Sequence, residues 1–125
     1  MNLLLDTHII LWWLDDNPSL SEKARNAIAD PDNLVIISAA VIWEIRIKQA
    51  LGKLKIAAGF YDVIKRQGFE MLPITPDHAY AVGNLPKHHS DPFDRILIVQ
   101  AKLERLTLVT QNAVFKKYQI SLLEN

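Results

Sequence analysis

Short apolar runs alternate along the chain with longer segments in which apolar residues recur at helical spacing. The runs at residues 3–5 and 34–37 are wholly apolar, which is typical of strands buried on both faces, and Thr107–Thr110 is rich in β-branched residues. Glu70–Leu72 and residues 120–123 resemble a third strand and a last edge strand. The pattern therefore predicts five short strands.

Helical segments separate these strands. The sequence Ser19-Leu20-Ser21-Glu22 is a capping-box pattern, and Gly52 is a residue typical of the position just beyond a helix end. The predicted helices cover residues 9–14, 19–29, 38–51, 57–67, 75–83 and 91–105, with one further helical turn at residues 113–118. Strands that alternate with helices favour parallel pairing through right-handed crossovers. The sequence predicts a single domain over residues 1–125, folded as a three-layer α/β/α sandwich around a parallel sheet.

The segment from His88 to Ala101 places two carboxylates at the start of an unusually apolar helix. Asp91 followed by Pro92 fits an N-cap and a first helical residue, so that Asp94 falls in the first turn. One interpretation is structural, because an acid caps a helix and complements its dipole. The alternative is a functional acid cluster, and the segment alone does not decide between them.

Two further acids bear on this choice. Asp6 follows the first predicted strand, and a helix that precedes a parallel strand begins at the same edge at which the strands end, so Asp6, Asp91 and Asp94 are expected to converge. Glu44 lies on a mainly apolar side of the third predicted helix. Its structural interpretation is an ion pair with Lys48 one turn later, worth only about 0.3 to 0.5 kcal/mol.

Composition narrows the chemistry. Half of the 125 residues are hydrophobic, the formal net charge is zero, and cysteine is absent. Zero net charge argues against nucleic-acid binding by bulk electrostatics alone, although a local basic surface remains compatible with it. Without thiolates, oxygen-ligated hard metals are the best-supported metal class. With no apolar run of membrane-spanning length and no recognisable leader, the sequence predicts a cytoplasmic protein without membrane association.

Basic and imidazole side chains are weaker candidates for substrate or partner contacts. Arg46 and Lys48 lie near one helix end, where they are suited either to a backbone phosphate or to a solvated face. His88 and His89 are adjacent and form no i, i+4 pair, which favours contact with RNA or a protein partner over zinc ligation.

Four ordered motifs give the chain a family resemblance. They are LLLDTH at residues 3–8, SAAVIWEIRIK at residues 38–48, LPKHHSDPFDRILIVQA at residues 85–101 and LTLVTQN at residues 106–112. In this order and spacing the chain resembles the PIN-domain family, and within it the VapC-type ribonuclease toxins of type II toxin–antitoxin pairs. The resemblance implies a five-stranded sheet of order 3-2-1-4-5.

The resemblance also implies an activity. It predicts a metal-dependent endoribonuclease whose catalytic acids, Asp6, Glu44 and Asp94, hold Mg²⁺ or Mn²⁺. Asp91 and Asn112 are possible further ligands, and Arg95 is a candidate RNA contact with Arg46, Lys48, His88 and His89. The implied partners are a structured RNA substrate, a small antitoxin protein and a second copy of the chain. Carboxylate-held Mg²⁺ suits phosphodiester hydrolysis because it activates water and neutralises charge on phosphate oxygens.

Asn112 departs from the family pattern, which has a fourth acid at that position. The amide removes one negative charge and one carboxylate ligand. The sequence therefore leaves an alternative open, in which the chain is a catalytically weakened PIN-like module that binds RNA or protein.

Overall fold

The computed structural model describes residues 1–125 and contains one five-stranded sheet of order β3-β2-β1-β4-β5. The strands are Asn2–Leu5 (β1), Leu34–Ser38 (β2), Glu70–Leu72 (β3), Thr107–Thr110 (β4) and Leu122–Glu124 (β5). All neighbouring strands pair in parallel. The predicted fold class and strand order are confirmed. Because the strand order reverses at β1, the carboxyl ends of β1 and β4 flank the crevice where open parallel sheets bind ligands.

Six α-helices connect the strands and complete the α/β/α layering. They are Thr7–Leu14 (α1), Glu22–Ala29 (α2), Ala39–Ala50 (α3), Phe60–Arg66 (α4), Pro76–Ala81 (α5) and Pro92–Leu103 (α6). Two short 3-10 helices, Val82–Asn84 and Ala113–Lys117, follow α5 and β4. None of the helices combines the length and the apolar character that a membrane span requires.

The central strands are apolar because both of their faces are covered. Leu3, Leu4 and Leu5 of β1 are completely buried, as are Ile37 of β2 and Leu108 of β4. These side chains belong to one cluster of 25 buried residues. Each fully buried aliphatic side chain contributes roughly 1.5 to 3 kcal/mol, so the strands that end at the crevice are also the most firmly held part of the sheet.

Four predicted element starts are wrong, since α1 begins two residues earlier and β5 two residues later than predicted, and the starts of α2 and α4 are displaced further. Ser21 rather than Ser19 caps α2, because the Ser21 Oγ accepts a hydrogen bond from the Ala24 N–H at 3.1 Å and the helix begins only at Glu22. The start of α4 lies three residues later than predicted. Gly59 precedes it with a φ of 86°, a left-handed conformation that glycine adopts without strain and that separates α4 from the preceding loop.

A buried polar network fixes α3 against α6. The Ser38 Oγ accepts from the Ala40 N–H at 3.0 Å, which caps α3, and donates to Gln100 Oε1 of α6 at 2.6 Å. Gln100 Nε2 in turn approaches Nδ1 of buried His78 at 3.3 Å. Since a buried polar group left without a partner costs about 1 to 3 kcal/mol, this network favours one relative placement of the two helices. Those helices carry Glu44 and Asp94.

Candidate active site

A cavity of about 310 Å³ opens at the carboxyl ends of β1 and β4. Four acids line it, together with a single lysine and the loop at residues 111–113; the acids are Asp6, Glu44, Asp91 and Asp94, and the lysine is Lys48. The cavity is therefore rich in negative charge. The structure brings together all the acids that were predicted from the sequence, and Asn112 lines the same cavity.

Asp6 lies at the end of β1, where it caps α1. Its backbone N–H continues the sheet by donating to Val109 O at 3.0 Å. Its Oδ1 accepts from the Thr7 N–H at 2.6 Å and its Oδ2 accepts from the Thr110 hydroxyl at 2.7 Å. Burial raises the pKa of Asp6, an effect that these two hydrogen bonds oppose. Asp6 is thus held rigidly at the floor of the cavity.

Glu44 reaches the cavity from α3 and is nearly as buried as Asp6. Its Oε1 accepts from the Thr7 hydroxyl at 2.5 Å, and its Oε2 lies 2.7 Å from Lys48 Nζ. Hydrogen bonding and charge attraction to Glu44 raise the pKa of Lys48. The i, i+4 ion pair considered from the sequence is therefore present, and it lies inside the cavity rather than on a solvated face.

The start of α6 carries the other two acids. Asp91 Oδ1 accepts from the N–H groups of Phe93 and Asp94 at 2.9 and 3.1 Å, so Asp91 is the N-cap that the sequence predicts. Asp94 lies in the first turn of α6 and lines the cavity. Its pKa is raised to about 7. Burial is the largest cause, followed by the negative charges of Asp6, Asp91 and Glu44. The helix start is therefore both a structural cap and part of the cluster of four acids that line the cavity.

His89 links Asp94 to Tyr118, which follows the second 3-10 helix. Its Nε2 lies 3.3 Å from Asp94 Oδ2 and its Nδ1 lies 2.7 Å from the Tyr118 hydroxyl. An ionised Asp94 can only accept, so in that state Nε2 carries the hydrogen and the Tyr118 hydroxyl donates to Nδ1. Burial lowers the pKa of His89, which favours this neutral form. His89 therefore orients the Asp94 carboxylate.

The remaining predicted contacts lie outside the cavity lining. The Arg95 guanidinium donates to Pro86 O at 3.0 Å and to the Tyr118 hydroxyl at 3.2 Å, with further bonds to the carbonyls of residues 82, 85 and 89. His88 packs edge-on against Tyr118, and Arg46 is exposed on α3. Arg95 thus fastens the loop before α6, and a contact between these three side chains and RNA stays a prediction.

Sequence reasoning missed two threonines. Thr7 joins the two buried acids, since its N–H donates to Asp6 and its hydroxyl donates to Glu44. Thr110 donates to Asp6 and also accepts from the Asn112 N–H at 3.0 Å. Both lie within the motifs that carry the family resemblance, Thr7 directly after Asp6 and Thr110 two residues before Asn112, and these positions were the available signal. No three acid or histidine side chains are grouped closely enough in the structure to ligate one metal ion together.

Comparison with known proteins places this geometry in a family. A model of the PIN domain matches residues 3–120 of the chain. The chain belongs to the PIN-domain family. The predicted family is therefore confirmed, and the acid cavity lies within the matched region.

Individual relatives agree with that assignment. This PIN domain is 28% identical to Ribonuclease VapC22 of Mycobacterium tuberculosis over 126 residues, which span 94% of this chain and 92% of the relative. It superposes with a TM-score of 0.76 and 21% identity on VapBC2 from Rickettsia felis, solved bound to a DNA fragment from their promoter, over 99% of this chain and 98% of that one. FitAcB from Neisseria gonorrhoeae gives a TM-score of 0.66 at 20% identity, over 98% and 96%. These solved structures support the fold.

Proposed function

We propose that this PIN domain is a metal-dependent endoribonuclease that hydrolyses RNA phosphodiester bonds and acts as the toxin of a toxin–antitoxin pair. The observation that carries the proposal is the Asp94 carboxyl, whose pKa is raised to about 7 by burial and by three neighbouring acids in one cavity. Such a cluster is costly to a fold and is typical of functional sites. Similarity to a protein named Ribonuclease VapC22 supports the same activity.

The donor set fits Mg²⁺ or Mn²⁺. These ions prefer oxygen ligands. Burial, together with neighbouring acids, raises the pKa of Asp6 and Asp94, so their ionised forms are unfavourable in the free protein and a bound cation would offset that cost. Asp6 and Asp94 would hold the ion, and Asn112, which lines the same cavity, offers an amide oxygen as a further ligand. Asp91 would join them only after its side chain moves closer to the other two acids. When bound, the ion would neutralise charge on phosphate oxygens and acidify a water molecule.

The chain's own residues supply orientation. Thr7 and Thr110 fix the two oxygens of Asp6 through neutral donors, so its charge stays available. Asp91 holds the first turn of α6, and His89 orients Asp94. Preorganised charges of this kind need no rearrangement at the moment of reaction, which is the main contribution of a protein to electrostatic catalysis.

Substrate contact would come from the rim of this cavity. Lys48 is 40% exposed and lies at the cavity wall, where its ammonium suits a backbone phosphate. Arg46, His88 and His89 are further candidates, although they do not line the cavity itself. An RNA substrate also implies that the protein acts in the cytoplasm.

An apolar groove next to the acids suits a protein partner. It has a volume of about 410 Å³ and is lined mainly by hydrophobic residues, among them Trp12, Leu54 and Phe60. His8 lines both this groove and the acid cavity, so one bound segment would cover both. We propose that a small antitoxin occupies the groove and silences the site, and that the chain acts as a homodimer.

One observation favours a second function. Asn112 Oδ1 accepts from the Val114 N–H at 3.1 Å and thereby caps the 3-10 helix at Ala113–Lys117. An amide already used as a cap contributes no formal charge to a metal site. A PIN-like module that binds RNA or protein with weakened catalysis is therefore the alternative.

Cleavage of a structured RNA separates the two functions. Purified protein is incubated with transfer RNA in Mg²⁺, in Mn²⁺ and in excess chelator, beside Asp94→Asn and a control, Asp32→Asn, in an exposed turn far from the cavity in sequence. We expect metal-dependent cleavage by the wild type and Asp32→Asn, and a loss of about 100-fold or more in Asp94→Asn. RNA binding without cleavage above the Asp94→Asn level would support the binding module instead.

A further inference from the structure

Lys48 is the one lysine or arginine among the residues that line the acid cavity. It extends from α3 one turn after Glu44, and its Nζ contacts Glu44 Oε2 at 2.7 Å. The Glu44 side chain is only 8% exposed, whereas the Lys48 side chain is 40% exposed. The ion pair therefore runs from the protein interior to the cavity wall.

The two most buried acids of the site have donors of different charge. Asp6 accepts from a backbone N–H and a hydroxyl, which are both neutral. Glu44 accepts from the Thr7 hydroxyl at one oxygen and contacts an ammonium at the other. The charge of Glu44 is thus matched by a cation of the chain itself, while the charge of Asp6 is not.

A divalent ion would meet these two acids differently. At Asp6 it would join neutral donors and offset an unmatched negative charge. At Glu44 Oε2 it would have to displace the Lys48 ammonium, which lies 2.7 Å from that oxygen, or bind beside it. Two cations that contact the same carboxylate oxygen repel each other strongly.

We propose that Lys48 is a tethered cation that keeps Glu44 out of the ligand set of the metal held by Asp6 and Asp94. The inference rests on the proposed function, since it concerns the metal which that function requires, and it replaces the sequence-based assignment of Glu44 as a ligand. Glu44 is then a positioning residue, because it holds the ammonium at the cavity wall where an RNA phosphate would enter.

A double-substitution experiment tests this role through metal binding alone. Mn²⁺ is titrated without RNA, and the free ion is followed by electron paramagnetic resonance, for the wild type, Lys48→Met, Glu44→Gln/Lys48→Met and Lys48→Arg. Lys53→Met is the matched control, because Lys53 lies beyond the end of α3 and does not line the cavity. Thermal melts confirm that each variant is folded.

The double variant Glu44→Gln/Lys48→Met, called the neutral pair, gives the decisive measurement. Glu44→Gln/Lys48→Met removes one negative and one positive charge together, so its Mn²⁺ affinity should stay within about threefold of the wild type if Glu44 is not a ligand. Lys48→Met alone should bind Mn²⁺ about tenfold more tightly, since it frees a carboxylate and removes a cation. Lys48→Arg and Lys53→Met should match the wild type.

Failures of the two proposals are distinguishable. If Mn²⁺ binds the wild type but the neutral pair weakens it tenfold or more, Glu44 is a ligand and the inference is wrong while the proposed function stands. If Lys48→Met leaves the affinity unchanged, the ammonium does not compete and the inference is likewise wrong. If Mn²⁺ binds none of the proteins, the inference and the metal dependence of the proposed function both fail.

Discussion

Replacement of Asp94 by asparagine should stabilise the metal-free protein, and should do so more as the pH rises. The folded cavity raises the pKa of Asp94 from 3.8 to about 7. Between these values the folded state holds a proton that the unfolded state has released, so the stability of the wild type falls as the pH rises through this window. The amide in the Asp94→Asn variant does not titrate, so the free energy of unfolding of the variant does not decrease for this reason as the pH rises.

The magnitude follows from the same pKa. Each tenfold change in proton affinity is worth about 1.4 kcal/mol, so the full change corresponds to about 4 kcal/mol. The Asp94 side chain is 13% exposed at an open cavity, and solvent screening reduces this value to about 2 kcal/mol. Between about pH 4.5 and pH 8 the stability difference between Asp94→Asn and the wild type should therefore grow by about 1.5 kcal/mol in favour of the variant.

Urea unfolding in excess chelator measures this difference at both pH values. Asp32→Asn is the control, because this acid lies in the exposed turn between α2 and β2. Its stability relative to the wild type should change little with pH. A pH-independent difference for Asp94→Asn as well would mean that neither burial nor the charges of Asp6, Asp91 and Glu44 raise the pKa of Asp94, and the electrostatic account of the cavity would be wrong.

Three further substitutions probe the site. Millimolar Mn²⁺ should raise the melting temperature of the wild type but not of Asp6→Asn, and equal shifts in thermal melts would exclude Asp6 as a ligand. Asn112→Asp should lower the Mn²⁺ concentration for half-maximal RNA cleavage and destabilise the chelated protein by about 1 kcal/mol; if both stay unchanged, residue 112 is outside the site. Arg95→Met should cost about 2 kcal/mol in urea unfolding, because several carbonyls lose a donor, whereas unchanged stability with weaker cleavage would support an RNA contact instead.

The strands and the acid cluster were predictable because each follows from local pattern and simple topology. Wholly apolar runs are typical of strands that are covered on both faces, which predicts β1 and β2 near the centre of the sheet. Residues 3–5 and 35–37 are buried as expected, whereas Leu34 at the start of β2 is exposed. Asp6 then lies at a strand end, and Asp91-Pro92 fixes where α6 begins. Parallel crossovers bring these positions to one edge without any knowledge of side-chain contacts.

The pairing of the charges was not predictable in the same way. Whether Glu44 contacts Lys48, a metal or solvent depends on side-chain positions that differ by a few ångströms on the same helix face. The role of Arg95 was equally hard to predict. Its position next to Asp94 in the sequence suggests a site residue, but in the structure its guanidinium donates to carbonyls of the loop before α6. The start of α2 was predicted wrongly for a related reason, because Ser19 and Ser21 are equally good N-caps until the preceding turn is known.

Asn112 shows why one position can leave a family pattern without loss of the surrounding geometry. Its side-chain oxygen caps the 3-10 helix at Ala113–Lys117, and its N–H donates to the Thr110 hydroxyl that in turn donates to Asp6. Aspartate would make the same cap and the same backbone contact. The difference is charge alone. With four acids already lining the cavity and the pKa values of Asp6 and Asp94 already raised, a fifth carboxylate would further destabilise the metal-free protein. The amide therefore relieves repulsion in the free protein, at the expense of one charged ligand for a metal.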